Sequence, residues 1–239
     1  MICHGVPKES RLPVLFAAAT AGALLLLGGT AQAADISGSA ALTTDYVWRG
    51  STQSNGDPAV QAGLKLAGAS GLYGSVWGSS VHFPAVPDAS AEVDLTVGWG
   101  RALAKDWAVD VNVLRYVYPG TQGLDWNEVN ASATFRQNLW LSVGHSSNAL
   151  ALRHSGTYVQ LGGKHAFGDR FRLEGGVGHY ALTDAAVNGY SHAWASGVWT
   201  LHGPTELRAT LHTTDANAKR LFGDDFAGRR AEIALQTSF

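Results

Sequence analysis

Cysteine is nearly missing from this sequence: Cys3 is the only one among 239 residues. It falls in an N-terminal segment that reads as an export signal. Lys8 and Arg11 give a short basic start, Leu12 to Gly29 is almost wholly apolar, and Ala31-Gln32-Ala33 supplies the small-x-small pattern of a signal-peptidase site. The cut is expected before Ala34, giving a signal peptide over 1–33 and a mature domain over 34–239. Removing 33 of the 239 residues leaves 206 without any cysteine. Disulfides, cysteine-ligated metals, a cysteine nucleophile and a lipidated N-terminal cysteine are thereby excluded from the mature chain.

Long apolar runs are lacking as well. After Ala34 no stretch approaches the roughly 20 residues of a membrane-spanning helix. A basic excess is also absent: losing Lys8, Arg11 and Glu9 takes 17 basic and 19 acidic residues to 15 and 18, a net charge near −3. Nucleic-acid binding would need the opposite balance. The eight histidines left after the cut, His82, His145, His154, His165, His179, His192, His202 and His212, form no helical His-x-x-x-His pair, so no metal or other cofactor is expected. No repeat, linker or low-complexity stretch divides residues 34–239, which implies one domain.

What is present is period-two alternation, the signature of strands with unlike faces. Ala231, Ile233, Leu235, Thr237 and Phe239 share one face of the last stretch, opposite Arg230, Glu232, Ala234, Gln236 and Ser238. Val93, Leu95, Val97 and Trp99 oppose Glu92, Asp94 and Thr96 in the same way. Splitting the chain at its turn signals predicts twelve strands: 36–49, 58–67, 72–82, 90–101, 107–118, 126–136, 139–148, 157–167, 171–182, 190–202, 205–214 and 229–239. Most are near the 9–11 residues that a tilted strand needs to cross a bilayer.

The connections sort by length. Short turns follow the even-numbered strands, as at Gln137-Asn138 and Gly203-Pro204, while longer loops follow the odd ones, as at Gly50–Asp57 and Asp215–Gly228. That asymmetry marks an antiparallel up-and-down transmembrane β-barrel of about twelve strands, set in a Gram-negative outer membrane with both termini periplasmic. Trp48, Trp99, Trp107, Phe135, Phe167, Phe171 and Phe239 lie near strand ends, where aromatic girdles form. In the fifth strand apolar character switches face, so a β-bulge near Val113 is expected to turn Arg115 inward. The strands at 72–82 and 190–202 alternate too poorly to assign their faces.

The segment Leu42-Thr43-Thr44-Asp45-Tyr46-Val47-Trp48-Arg49-Gly50, with Gln53-Ser54 and Pro58-Ala59-Val60-Gln61, resembles the N-terminal hallmark of the Gcw_chp family of proteobacterial outer-membrane β-barrels, the TorF-family porins. Leu72 to Ser79, Glu92-Val93-Asp94-Leu95, Tyr116 to Gly120 and Asn127-Glu128-Val129 extend the likeness through the first half of the mature chain. The resemblance implies an outer-membrane porin. It carries over neither a substrate nor a functional residue.

For such a barrel the leading expectation is passive diffusion of small hydrophilic solutes. Twelve strands about 4.8 Å apart and tilted near 40° enclose a backbone cylinder of roughly 24 Å, narrowed by side chains to well under about 15 Å. The expected lumen lining is Asp45, Arg49, Lys65, Glu92, Asp94, Asp110, Arg115, Glu128, Lys164, Arg172, Glu174, Glu206, Arg208, Arg230 and Glu232. Both signs are present, which fits either a charged eyelet or a lumen closed by internal salt bridges. The second outcome would make a structural barrel. Other readings are an adhesion or ligand-binding barrel using the charged loop Asp215–Gly228, and a lipid-modifying enzyme using Ser146 and His145. Against the enzyme, neighbouring strand residues face opposite ways, and no catalytic residue is assigned. A monomer is expected, in contact with outer-membrane lipid. The alternating final strand ending at Phe239 matches the C-terminal signal read by the barrel-insertion machinery.

Overall fold

Residues 34–183 and 185–239 are described by the computed structural model; the expected export signal, residues 1–33, lies outside them. The chain starts with β1 (Asp35–Thr43), then enters a small hairpin of β2 (Val47–Trp48) and β3 (Ser51–Thr52). It continues through β4 (Ala59–Ala67), β5 (Leu72–Ser80), β6 (Ala91–Ala104), β7 (Trp107–Val117), β8 (Trp126–Phe135) and β9 (Leu139–Ala149). Then come β10 (His154–Phe167), β11 (Phe171–Leu182), β12 (Gly189–His202), β13 (Thr205–Thr214), helix α1 (Ala216–Phe222) and β14 (Arg230–Ser238). Among the described residues, β1 and β4 to β14 form a closed antiparallel barrel in which each strand bonds its sequence neighbours and β14 returns to β1. Twelve strands with the expected spans are therefore present, apart from the first.

Closure follows from the solvent. Hydrocarbon offers no partner to a backbone N–H or C=O, so a spanning sheet must leave no edge. The last bonds are made at the chain ends: β1 and β14 pair from Thr43↔Ala234 to Ser39↔Ser238, and Gly38 and Phe239 then exchange two backbone bonds of 2.8 and 3.0 Å.

The alternation read from the sequence sets what faces lipid. Val97 is 70% exposed, and Ile36, Val60, Leu64, Leu95, Val111, Leu161, Val177, Leu211 and Ile233 are likewise exposed on the outer face. Their strand neighbours Glu92, Asp94, Glu128, Glu174 and Arg208 have the opposite parity and point inward. Burial accordingly concentrates inside the cylinder, where Tyr158, Tyr180, Leu182 and Tyr190 form one cluster and Tyr46, Ala59, Val81 and Ala89 another. Both lie toward the end that carries the long loops (the loop end). The other end, with tight turns and both described termini, is the turn end.

Outward aromatics gather at the turn end. Trp107 meets Phe135 at 4.9 Å, Phe171 meets Trp199 at 5.0 Å and Phe167 at 5.9 Å, and Trp99 Nε1 donates to the Ser70 carbonyl at 3.0 Å. Phe239, 73% exposed, lays its ring over Gly38, where any Cβ would come within 2.4 Å of it. The two unassigned strands also resolve: Trp77 and Trp194 face inward and Trp199 outward, by the parity of their buried neighbours Ser79 and Val198.

Four expectations need correction. The first strand ends at Thr43 rather than residue 49, because the chain turns into the lumen there. Trp48 consequently belongs to no girdle and packs inside the barrel against Trp126 and Tyr180. No bulge interrupts β7 near Val113; its register with β6 and β8 runs unbroken there, and the irregularity in that pair sits at Ala102/Ala104. Arg115 thus keeps the outward parity of Val111 and Val113, and reaches Asp125 at 3.0 Å on the loop-end rim. Finally, the loop Asp215–Gly228 contains α1, whose first turn is capped by the Asp215 carboxylate accepting from the N–H groups of Asn217 and Ala218.

Candidate functional site in the barrel lumen

The segment between β1 and β4 is the organising feature of the interior. Val47-Trp48 pairs with Ser51-Thr52 across a two-residue tip, Arg49 at φ +47° and Gly50 at φ +83°. Positive φ at both central positions defines a type I′ hairpin, the turn that best matches strand twist. Gly50 is needed for space as well as conformation. A Cβ there would stand 2.6 Å from Thr214 Cγ2 and 2.8 Å from His192 Cβ. The hairpin tip at Gly50 therefore abuts the wall formed by β12 and β13.

Several bonds hold the segment in place. Asp45, buried at 5%, accepts from Thr52 Oγ1, from Ser54 Oγ at 3.1 Å and from Arg230 at 3.1 Å. Thr43 Oγ1 donates to the Asp45 carbonyl at 2.8 Å, the Thr52 N–H donates to the Phe226 carbonyl at 3.0 Å, and the Thr44 N–H donates to the Ile233 carbonyl at 2.9 Å. Its sequence makes this possible: short hydroxyl side chains at 43, 44, 52 and 54 satisfy backbone that a strand ladder would otherwise satisfy.

Arg49 pins the tip. Its guanidinium donates to both oxygens of Glu128 at 2.7 and 2.8 Å, a two-pronged ion pair whose side chains are only 10% and 1% exposed. The same group lies 3.8 Å from the Tyr158 ring centre, 4.3 Å from Trp48 and 5.0 Å from Tyr180. Charge-assisted bonding and cation–π attraction both strengthen where water is excluded. Arg49 and Glu128 are 79 residues apart, and it is the hairpin that brings them together.

The other predicted lining residues fall into smaller groups. Glu92 accepts from the Tyr46 hydroxyl at 3.1 Å, and Asp94 below it has one buried oxygen without a partner. Glu232 accepts from Thr43 at 3.0 Å and contacts His212 at 3.0 Å. Asp110 accepts from Tyr73 at 2.9 Å, while the Lys65 ammonium sits 3.7 Å over the Tyr73 ring. Nearest the turns, Arg172 bridges Glu174 at 2.6 Å and Glu206, and Arg208 returns to Glu174 at 2.8 Å. Lys164 is exposed at that end. Asp45 and Arg49 reach the lumen from the hairpin rather than from a strand, and Arg115 does not reach it.

Open space remains on both sides of the hairpin. On its turn side a 460 Å³ cavity is lined by Arg49, Lys65, Tyr73, Asn112, Glu128, Asn130 and Ser142, a polar and ionic surface. A further 250 Å³ space lies beside Gln61, Glu206 and Gln236. On the loop side is a third cavity of 500 Å³. Inward residues that the sequence reading missed include Tyr46, Tyr158, Tyr180, Tyr190 and His192. Tyr158 shares the parity of Lys164 on β10 and Tyr180 that of Arg172 and Glu174 on β11, and that parity was the available signal; β12 has no charged residue to give one for Tyr190.

The residues weighed for hydrolysis are separated by the sheet. Ser146 is buried on the inward face and its hydroxyl accepts from the Asn148 N–H at 3.1 Å, whereas His145 is exposed and bonds Thr157 at 2.9 Å.

A closed twelve-stranded sheet with an apolar outside and a charged, partly hollow inside is an outer-membrane β-barrel of the porin type. The chain belongs to the Gcw_chp family: the family's model, described as "Bacterial protein of unknown function (Gcw_chp)", matches residues 28–239. No curated protein matches the sequence. Among solved structures, the KdgM porin superposes with a TM-score of 0.55 at 7% identity, covering 85% of this chain and 99% of that one. The NanC porin does so with a TM-score of 0.55 at 10% identity, covering 86% and 99%. A further KdgM porin, in complex with disordered oligogalacturonate, gives 0.53 at 6% identity over 85% and 98%. At these identities the likeness is one of fold.

Proposed function

We propose that this barrel is an outer-membrane channel for passive diffusion of small hydrophilic solutes, narrowed by the infolded Arg49 hairpin. The observation that carries this reading is the polar cavity of 460 Å³ on the turn side of Arg49, in a cylinder whose outer surface is apolar. A barrel with no traffic has no need of exposed lysines such as Lys65 and Lys164 on its inner face. The predicted lining residues other than Arg115 then act as a graded set: the Arg172–Glu174–Glu206–Arg208 group at the turn end, Lys65 and Asp110 midway, and Arg49–Glu128 at the constriction.

In this reading the turn end faces the periplasm and the long loops face outward. The chain is exported by cleavage before Ala34, works as a monomer, and Phe239 serves as the assembly signal that completes the β1–β14 seam. The reaction-free role of the lumen agrees with the opposite facing of His145 and Ser146.

The test is planar-bilayer conductance of the refolded protein, together with liposome swelling in sugars of increasing size. A small, reproducible conductance and uptake of monosaccharides ahead of trisaccharides is expected. Reproducibly zero conductance and no swelling would replace this reading by the second one, a structural barrel whose lumen the Trp48–Arg49 hairpin closes. That alternative draws on the near-complete burial of Glu128 and Tyr180.

A further inference from the structure

The third cavity has a different chemistry from the channel below it. Its 500 Å³ are walled by Trp48, Phe83, Tyr118, Trp126, Leu152 and Phe222, drawn from five of the six long loops and the strand ends beneath them. Loop tips that meet only water are ordinarily polar. Here they turn apolar side chains toward one another around a shared cavity, where Trp48, Phe83, Tyr118 and Phe222 are half-buried.

The walls are also braced. Tyr116 stacks on Trp126 at 4.1 Å with planes 8° apart, Phe83 meets Tyr118 edge-on at 6.1 Å, and Phe222 meets Tyr190 edge-on at 5.3 Å. Phe222 is placed by α1, which is bounded by the Asp215 cap and by Gly223 at φ +94°. Aromatic faces set in this way favour planar ring systems, which stack at little conformational cost.

One charged side chain lines the cavity, Glu92. It is 2% exposed, accepts from the Tyr46 hydroxyl at 3.1 Å, has the Tyr118 hydroxyl and the Asp94 carboxyl as its other polar neighbours, and has no cationic partner among the described residues. The nearby cations are committed elsewhere, Arg49 to Glu128 and Arg230 to Asp45. A carboxylate offers about four acceptor positions, so Glu92 keeps capacity for a donor from outside.

We propose that this outer chamber binds a small neutral or cationic aromatic molecule bearing an N–H or O–H donor, stacked between the aromatic walls and hydrogen-bonded to Glu92. The volume suits such a molecule, since pockets for small organic ligands run from about 300 to 1,000 Å³. An anion is disfavoured by the two neighbouring acidic groups, Glu92 and Asp94, which have no cation beside them. A sugar is disfavoured because its hydroxyls would lose water against leucine and phenylalanine without replacement bonds. The assignment deepens the channel reading by naming the solute held at its mouth, and rests on that reading only for what happens after capture.

The experiment uses the refolded barrel in phosphatidylcholine nanodiscs, titrated with indole, 2-naphthoate and glucose by equilibrium dialysis against empty nanodiscs. Saturable, single-site uptake of indole is expected, with 2-naphthoate and glucose at the level of empty discs. Phe222→Ser and the rim variant Leu152→Asp are each expected to weaken indole roughly tenfold, and Glu92→Gln to admit 2-naphthoate. Leu152 is 44% exposed, so its replacement leaves the fold intact and keeps the test valid if another variant misfolds. Indole uptake equal to empty discs, or saturable uptake unchanged in both Phe222→Ser and Leu152→Asp, overturns the proposal. Conductance measured on the same preparation separates the two readings: a conducting barrel that ignores indole sinks the chamber alone, and an indole-binding barrel that does not conduct sinks the channel alone.

Discussion

Replacing Glu128 by glutamine removes one charge and leaves the Arg49 guanidinium buried without its counter-ion. The pair is largely buried, its side chains 10% and 1% exposed, and Arg49 gives two bonds of 2.7 and 2.8 Å to that single carboxylate. Stranding one member of a buried ion pair costs about 3–5 kcal/mol. The three rings around Arg49 do not change, so they offset none of this loss. The base of the hairpin stays anchored by Asp45–Arg230 and by the bond from Thr52 to Phe226. What moves is therefore the tip, away from Glu128 and toward water. At about 1.4 kcal/mol per tenfold, the balance between the pinned and released tip shifts by roughly a hundredfold to a few thousandfold. In planar bilayers Glu128→Gln is expected to raise unitary conductance or open time several-fold over the parent. Arg49→Ala combined with Glu128→Gln should be more stable to urea than Glu128→Gln alone, because no charge is then left unpaired. A Glu128→Gln protein with parental conductance and parental urea midpoint would refute the view that this pair pins the constriction.

Four other perturbations probe separate parts of the structure. Gly50→Val puts a side chain where Thr214 and His192 already stand and forces a branched residue to φ +83°, so a loss of about 1–3 kcal/mol is expected, read as a lower urea midpoint in lipid vesicles. Val97→Arg, on the exposed outer face halfway along β6, should cost about 2–4 kcal/mol in the same assay, while Thr96→Arg, one residue away and facing inward, should cost far less; equal costs would contradict the assigned faces. Arg172→Met leaves Glu206 without its arginine and Glu174 with only Arg208, so the reversal potential under a salt gradient should move toward cation preference. For the seam, deletion of Phe239 or Gly38→Leu, which collides with the Phe239 ring, should lower the folded fraction seen as heat-modifiable mobility on gels; normal assembly of both would remove Phe239 from that role.

Much of the fold was legible because lipid imposes a one-dimensional rule. A strand crossing a bilayer must alternate, and its length is set by bilayer thickness, so Val93 to Trp99 against Glu92 to Thr96 reads directly as β6 with one wet and one dry face. The same rule misled at both ends of its range. Tyr46 and Trp48 alternate with Asp45 and Arg49 as well as any strand does, yet they leave the sheet, since an infolded hairpin and a strand share the period of two. In β7 the switch of apolar character from Val113 to Leu114 looked like a bulge; it is instead Leu114 and Tyr116 facing the lumen beside the hairpin, an interior that is locally apolar. The helix α1 had a readable signal in Asp215 and Gly223 flanking seven residues, but seven residues cannot hold a helix without the tertiary packing of Ala218, which is fully buried.

By itself, then, the sequence determined the barrel, its strand count, its lipid face and the inward parity of most charged residues, because each depends only on local alternation and turn chemistry. Which charges meet was decided in three dimensions. Arg49 and Glu128, Asp45 and Arg230, and Arg172 and Glu206 are separated by 79, 185 and 34 residues, and no period in the chain relates them. Their pairing exists because closing the sheet sets β8, β11, β13 and β14 around one axis, and because the hairpin tip, turning at Gly50, carries Arg49 across that axis. The same closure divides the lumen into a polar chamber and an aromatic one, with Tyr116 on the wall of both.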